Sequence, residues 1–150
     1  MRLVVAATLA VFTIPAVAHA STSCAVVGDS IAAGLRDFFR ECRTDAKIGI
    51  GTAAVTSRVP NDASLIVVSA GSNDYQTPGL LSRLQTLRER AGSARVIWIR
   101  PVPTSAAAAV DKVAQAHGDT VVPFAVSPTD REHLHPQSSQ KLAADIRRYF

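Results

Sequence analysis

The stretch LIVVSAGSND, residues 65–74, is the clearest structural signal in the sequence. Its first five residues, 65–69, are four consecutive aliphatic residues and a serine, typical of a strand buried on both faces, and Gly71 and polar residues follow the strand. Arg95–Ile99 has the same character and stops before Pro101. Shorter runs predict three more strands, at residues 24–27, 46–48 and 120–124. Helical spacing of apolar residues predicts helices between them, at residues 31–42, 53–58, 80–91, 105–117 and 137–150.

Strands that alternate with helices predict right-handed βαβ units and a parallel sheet. We therefore predict an α/β protein with a single three-layer domain, in which a parallel five-stranded sheet carries helices on both faces. The 150 residues of the chain are consistent with one domain.

The first twenty residues have the pattern of a signal peptide. Arg2 supplies a positive charge, residues 3–17 are mostly apolar, and Ala18-His19-Ala20 is a small-x-small cleavage pattern. The sequence therefore predicts a signal peptide at 1–20 and an exported domain at 21–150, located in the periplasm or secreted. A lipid anchor on Cys24 is disfavoured, because the preceding Ser21-Thr22-Ser23 has no leucine. With no second apolar segment of spanning length, we expect no stable membrane anchor.

Charge and composition exclude several functional classes. Cleavage removes Arg2 and leaves 15 basic against 12 acidic side chains, a net charge of +3. These charges are scattered, which is typical of solvated helix faces and argues against nucleic-acid binding. No Cys/His cluster has metal spacing, so we expect neither a metal nor a cofactor. We expect a monomer.

Two cysteines remain in the exported domain, Cys24 and Cys42. Cys24 begins the first strand, and Cys42 ends the helix before the second strand. In a βαβ unit, these two points lie at the same N-terminal end of the sheet. An oxidising compartment then favours a disulfide over two buried thiols.

Polar residues gather at the carboxyl end of the predicted sheet, where ligands bind in open α/β folds. These are Asp29 and Ser30 after the first strand, Gly49 after the second, Ser72-Asn73-Asp74 after the third, and 130–135 after the fifth. A serine there becomes a strong nucleophile beside a general base that has its own orienting partner. Asp130 and His133 are three residues apart, so one turn can bring them together.

Three motifs give the chain a family resemblance. Val27-Gly-Asp-Ser-Ile31, Gly71-Ser-Asn-Asp74 and Asp130-Arg-Glu-His133 resemble the first, third and fifth blocks of the SGNH (GDSL-type) hydrolases, in the family's order. The resemblance implies a flavodoxin-like SGNH hydrolase fold and an esterase. It also implies that Ser30 is the nucleophile, His133 the base and Asp130 its orienting partner. The oxyanion hole would comprise the Ser30 N–H, a glycine N–H and the Asn73 amide.

Two assignments within these motifs have rivals. Gly49 and Gly51 both qualify as the oxyanion-hole glycine. In the family an Arg-hydrophobic pair often follows this glycine, and Arg58-Val59, nine and ten residues on, favours Gly49 by that resemblance. His135 rivals His133 as the base because some relatives have His-Pro at that position. The Asp-x-x-His spacing favours His133 and makes His135 a surface residue before the last helix.

The segments between the motifs are short, which predicts an open cleft without a lid. We therefore expect short-chain acyl or acetyl esters, on small molecules or glycans, as substrates. A non-catalytic ligand-binding module on the same fold is the main alternative. It does not account for the complete set of Ser30, Asn73, Asp130 and His133. A phosphate-binding flavodoxin-like domain would leave Asp130 and His133 without a role.

Overall fold

The computed structural model describes residues 23–130 and 135–150. The predicted signal peptide and His133 lie outside these residues. The described part has five strands and five α-helices. In chain order they are β1 (Cys24–Gly28), α1 (Ser30–Ala33), β2 (Arg43–Ala46), α2 (Thr52–Thr56), β3 (Leu65–Ser69), α3 (Leu80–Arg90), β4 (Arg95–Ile99), α4 (Thr104–His117), β5 (Thr120–Val122) and α5 (Ser139–Arg147).

All five strands pair in parallel, in the order β2-β1-β3-β4-β5. Successive residues of a strand point to opposite faces. Val27 and Val68 accordingly pack on one face with α3 and α4, and Val26 and Val67 pack on the other with α1 and α5. This double burial explains the aliphatic runs and confirms the predicted three-layer α/β fold.

Two predicted elements differ from the structure. The second strand covers Arg43–Ala46 instead of residues 46–48. It lies at the edge of the sheet, where Arg43 and Asp45 remain exposed, so it has no buried aliphatic run to reveal it. The helix predicted at 31–42 ends at Ala33, where Gly34 begins a turn, and a short 3₁₀ helix at Arg36–Phe38 follows. Glycine has low helix propensity, which accounts for the early end.

Cys24 and Cys42 form a disulfide in the structure, with their Cα atoms 4.7 Å apart. The bond joins the start of β1 to the segment just before β2, at the amino ends of both strands. It closes a loop of sequence separation 18 that includes Ser30. A loop of this size contributes about 2–4 kcal/mol to stability by restricting the unfolded chain.

Within the described ranges, no helix combines the length and apolar character that crossing a bilayer requires.

Candidate active site

Ser30 is the first residue of α1, directly after the sharp corner at the carboxyl end of β1. The corner depends on Gly28, which has a φ of +148°. A Cβ at this position would lie 2.4 Å from the Ser69 carbonyl oxygen, closer than any side chain tolerates. The corner is also hydrogen-bonded to the segment that follows β2, because Lys47 N–H donates to the Gly28 carbonyl at 2.9 Å. The sheet itself therefore determines where Ser30 lies.

The side chain of Asp29 is buried beneath the nucleophile, with 1% of its surface exposed. Its Oδ1 accepts hydrogen bonds from Ile31 N–H at 3.1 Å and from the Ser69 hydroxyl at 2.7 Å. Burial raises the pKa of Asp29, because the ionised carboxylate loses its water, and these two hydrogen bonds oppose that rise. Asp29 thus caps the start of α1 and ties it to β3.

His135 lies between Ser30 and Asp130. Its Nε2 is 3.1 Å from Ser30 Oγ, and its Nδ1 is 2.6 Å from Asp130 Oδ2. With the Nδ1 proton directed at the carboxylate, Nε2 is left as an acceptor for the serine hydroxyl proton. The three side chains thus form the serine–histidine–aspartate arrangement that activates a nucleophile.

The loop that carries Asp130 and His135 runs from the end of β5 to α5. Its two sides are held together by Ser127 N–H donating to the His135 carbonyl at 2.9 Å, and by Gln137 N–H donating to the Ala125 carbonyl at 2.7 Å. An isolated antiparallel bridge joins Val126 to Pro136 between them. This return of the chain directs His135 back over α1.

The histidine assignment from sequence needs correction. The structure gives His135 contacts with both Ser30 and Asp130, so it is not the uninvolved surface residue that the motif spacing predicted. The Asp-x-x-His spacing predicted that one helical turn would bring the aspartate and its histidine together, whereas Asp130 Oδ2 contacts the histidine five positions further on. Pro136 was the available signal, because some relatives have His-Pro at the position of the base. His135, which contacts both groups, is therefore a candidate base, and His133 lies outside the described residues.

The loop of residues 47–51 contains both candidate oxyanion-hole glycines. Gly51 precedes α2, and a Cβ there would lie 3.3 Å from the Asp74 carboxyl carbon, which gives this glycine a packing role. Gly49 has a φ of +77° and faces open space. Among the described residues, no hydrogen bond of the fold uses its N–H or that of Ser30. Asn73 Nδ2 donates to the Ile50 carbonyl at 2.9 Å, so this side chain contacts the same loop.

Asp74 holds this side of the site together. Its Oδ2 accepts from Thr52 N–H and from Arg83 Nε–H, both at 3.1 Å, and its Oδ1 accepts from the Thr52 hydroxyl at 2.8 Å. Arg83 also donates to the Pro78 carbonyl at 2.7 Å. Asp74 therefore joins α2, α3 and the loop after β3, next to Asn73. The sequence indicates no role for Asp74 beyond its motif.

Within residues 23–130 and 135–150, no three His, Cys, Asp or Glu side chains group as a metal site requires.

Solved structures with the same fold were found by comparison of the whole chain. No protein-family model and no curated protein sequence matches it. A protein assigned to the G-D-S-L lipolytic family of Desulfitobacterium hafniense has a TM-score of 0.63 at 14% identity, covering 87% of this chain and 100% of its own. A GDSL-like lipase from Bacteroides uniformis also has a TM-score of 0.63, at 15% identity, covering 87% and 96%.

The third similar structure is the C-terminal catalytic domain of peptidoglycan O-acetyltransferase A from Streptococcus pneumoniae, which was solved with a methylsulfonyl adduct. Its TM-score is 0.60 at 14% identity, and the match covers 85% of this chain and 92% of that domain. All three share the layered sheet described above. The chain therefore has the fold of the SGNH (GDSL-type) hydrolases.

Proposed function

We propose that this protein is an exported serine hydrolase of carboxylic esters with short acyl groups, acting through an acyl-enzyme on Ser30. The observation that carries the proposal is the pair of contacts made by His135, at 3.1 Å to Ser30 Oγ and 2.6 Å to Asp130 Oδ2. A non-catalytic binding module would not require a histidine that contacts both a serine hydroxyl and a carboxylate.

In the proposed acylation step, Ser30 Oγ attacks the ester carbonyl carbon while its proton passes to His135 Nε2. Collapse of the tetrahedral intermediate breaks the bond to the alcohol oxygen, which takes the proton from Nε2. Water then attacks the acyl-enzyme by the reverse route, giving the carboxylic acid and free Ser30. Asp130 holds the imidazole in the required tautomer and stabilises the imidazolium.

The developing oxyanion needs donors that are already in place. The N–H groups of Ser30 and Gly49 fit this role, because neither donates to another described residue within the fold. The second N–H of the Asn73 amide is the third proposed donor, since the first donates to Ile50.

Acyl transfer to a second alcohol is a related candidate, favoured by the structural similarity to the peptidoglycan O-acetyltransferase domain. The same acyl-enzyme would form, and an alcohol would replace water in the second step. Acetyl esters of glycans are consistent with either version. Export is supported by the signal-peptide pattern and by the Cys24–Cys42 disulfide, since disulfides persist in oxidising compartments.

The proposal is tested by incubating the purified protein with a fluorophosphonate probe and assaying 4-nitrophenyl acetate, butyrate and palmitate. We expect one covalent adduct, on Ser30, and faster turnover of the two short esters than of the palmitate. The Ser30→Ala variant should lose both the adduct and the turnover. Absence of an adduct and of hydrolysis in folded protein would support the binding module, and preference for palmitate would refute the short-acyl assignment. Adding a glycan alcohol and measuring transacylation separates transferase from hydrolase.

A further inference from the structure

A cavity of about 420 Å³ lies beside Ser30, between α1 and the start of α5. This volume is within the range of about 300–1,000 Å³ typical of small-molecule sites. Ser30 and His135 lie in its wall, whereas Gly49 and Asn73 do not. The cavity therefore adjoins the nucleophile and the base but not the proposed oxyanion donors.

The lining of this cavity is mainly apolar. Ile31, Ala33 and Pro136 contribute to its walls, and Ile48 stands at its rim. Ile48 is 75% exposed, so its side chain has apolar surface that a bound substrate could cover. It lies in the loop that follows β2, only two residues after the end of that strand.

The chemistry of acylation indicates which part of an ester this cavity faces. In the tetrahedral intermediate, the carbon bound to Ser30 Oγ carries the oxyanion, the acyl chain and the alcohol oxygen. The oxyanion is directed at the N–H groups of Ser30 and Gly49. The alcohol oxygen must approach within about 3 Å of His135 Nε2, because this nitrogen returns the proton to it. Because His135 lines the cavity, the group bonded to the alcohol oxygen would extend into it.

We propose that this cavity binds the alcohol portion of the substrate through an apolar ring face or chain, with Ile48 as a specificity-determining residue. The proposal rests on the proposed esterase function and adds the substrate class: esters of a small acid with a bulky, partly apolar alcohol. Contact with the exposed Ile48 removes apolar surface from water, which stabilises the acylation transition state for such esters.

Two isomeric esters test this assignment at equal overall hydrophobicity. Hexyl acetate places the long chain on the alcohol, and ethyl hexanoate places it on the acid. The alcohol is present only up to acyl-enzyme formation, so its binding is expressed in kcat/KM. We expect kcat/KM for hexyl acetate to exceed that for ethyl hexanoate by at least about tenfold, which is about 1.4 kcal/mol.

Two variants connect this ratio to the cavity. Gly34→Leu introduces a side chain into the wall, where a Cβ meets only ordinary contacts at 3.5 Å, and should reduce the ratio to about one. Ile48→Ala removes an exposed side chain, so it cannot disrupt the core, and should reduce the ratio several-fold. Ala108→Leu, on an exposed position of α4, is the matched control and should leave the ratio unchanged.

A wild-type ratio near or below one would overturn the proposal, as would an unchanged ratio in both Gly34→Leu and Ile48→Ala. A preference for ethyl hexanoate that Gly34→Leu removes would assign the cavity to the acyl chain instead. If folded wild-type protein hydrolyses neither isomer nor ethyl acetate, the esterase function itself is refuted, a result distinct from a failed cavity assignment.

Discussion

The two halves of the candidate site are built in different ways. Ser30 follows a corner that the sheet determines, with Gly28 against Ser69 and the buried Asp29 as the cap of α1. Asp130 and His135 instead lie in a loop after the last strand, joined across its base by backbone hydrogen bonds and one isolated bridge. The first half directly follows a buried strand, whereas the second lies in a partly exposed loop outside the core. Changes at the corner should therefore affect folding, whereas changes in the loop should affect catalysis alone.

The largest effect is expected at His135. His135→Ala should lower kcat about a thousandfold or more, because Ser30 then has no acceptor for its proton. The melting temperature should stay within a few degrees, since the side chain is 38% exposed and lies outside the core. Ester turnover and thermal unfolding measure the two effects separately.

His133→Ala and His117→Ala are the comparisons for this variant. Both should keep kcat within about tenfold of the wild type, equivalent to about 1.4 kcal/mol. Loss of activity in His133→Ala with retention in His135→Ala would restore the motif-spacing assignment and contradict the loop geometry.

The second effect concerns the corner. Gly28→Ala should destabilise the fold by about 2–4 kcal/mol, because its Cβ would meet the Ser69 carbonyl oxygen at 2.4 Å on a backbone of positive φ. Denaturant unfolding measures this loss, and activity should fall with it. Gly34→Ala is the control: its φ is −69° and the nearest contacts of its Cβ are 3.5 Å away, so stability should be unchanged or higher. Equal stabilities for the two variants would show that the corner is not fixed by sterics.

The smallest effect should come from Asp74, which binds Thr52 of α2 and Arg83 of α3 next to the loop of Gly49. Asp74→Asn removes the negative charge that faces Arg83 Nε–H and leaves one acceptor oxygen where Asp74 uses both, so the residue next to Asn73 is held less firmly. We expect kcat to fall about tenfold, or about 1.4 kcal/mol, with little change in KM.

Asp62→Asn is the matched control for Asp74→Asn. Asp62 also pairs with an arginine, Arg43, but this exposed pair lies at the amino end of β2, away from Ser30. Its variant should retain full kcat. A purely structural role for Asp74 would lower stability without changing kcat per folded molecule.

The same contrast explains what the sequence could predict. The bounds of β3 and β4 were predicted correctly, because both strands are buried on two faces and have an aliphatic run as their signature. Ser30 was located by local rules, as the residue at a strand–glycine–helix corner. The contacts of His135 depend on the pairing of residues 125–127 with 135–137, and no spacing rule within the motif contains that information. The contact of Asp74 with Thr52 joins two elements 22 residues apart and was likewise inaccessible.

Trp98 is the single tryptophan of the chain, and it lies in the centre of β4 with none of its surface exposed. Its indole N–H donates to Asp119 Oδ2 at 3.0 Å, and Arg88 Nε binds the same oxygen at 2.7 Å. The tryptophan fluorescence of the protein thus originates from one buried indole on the sheet face that α3 and α4 cover, whereas His135 contacts Ser30 of α1, which packs on the other face. Its emission should shift to the red when the sheet opens and remain unchanged when only the loop is altered, so one optical signal distinguishes an unfolded variant from a folded but inactive one.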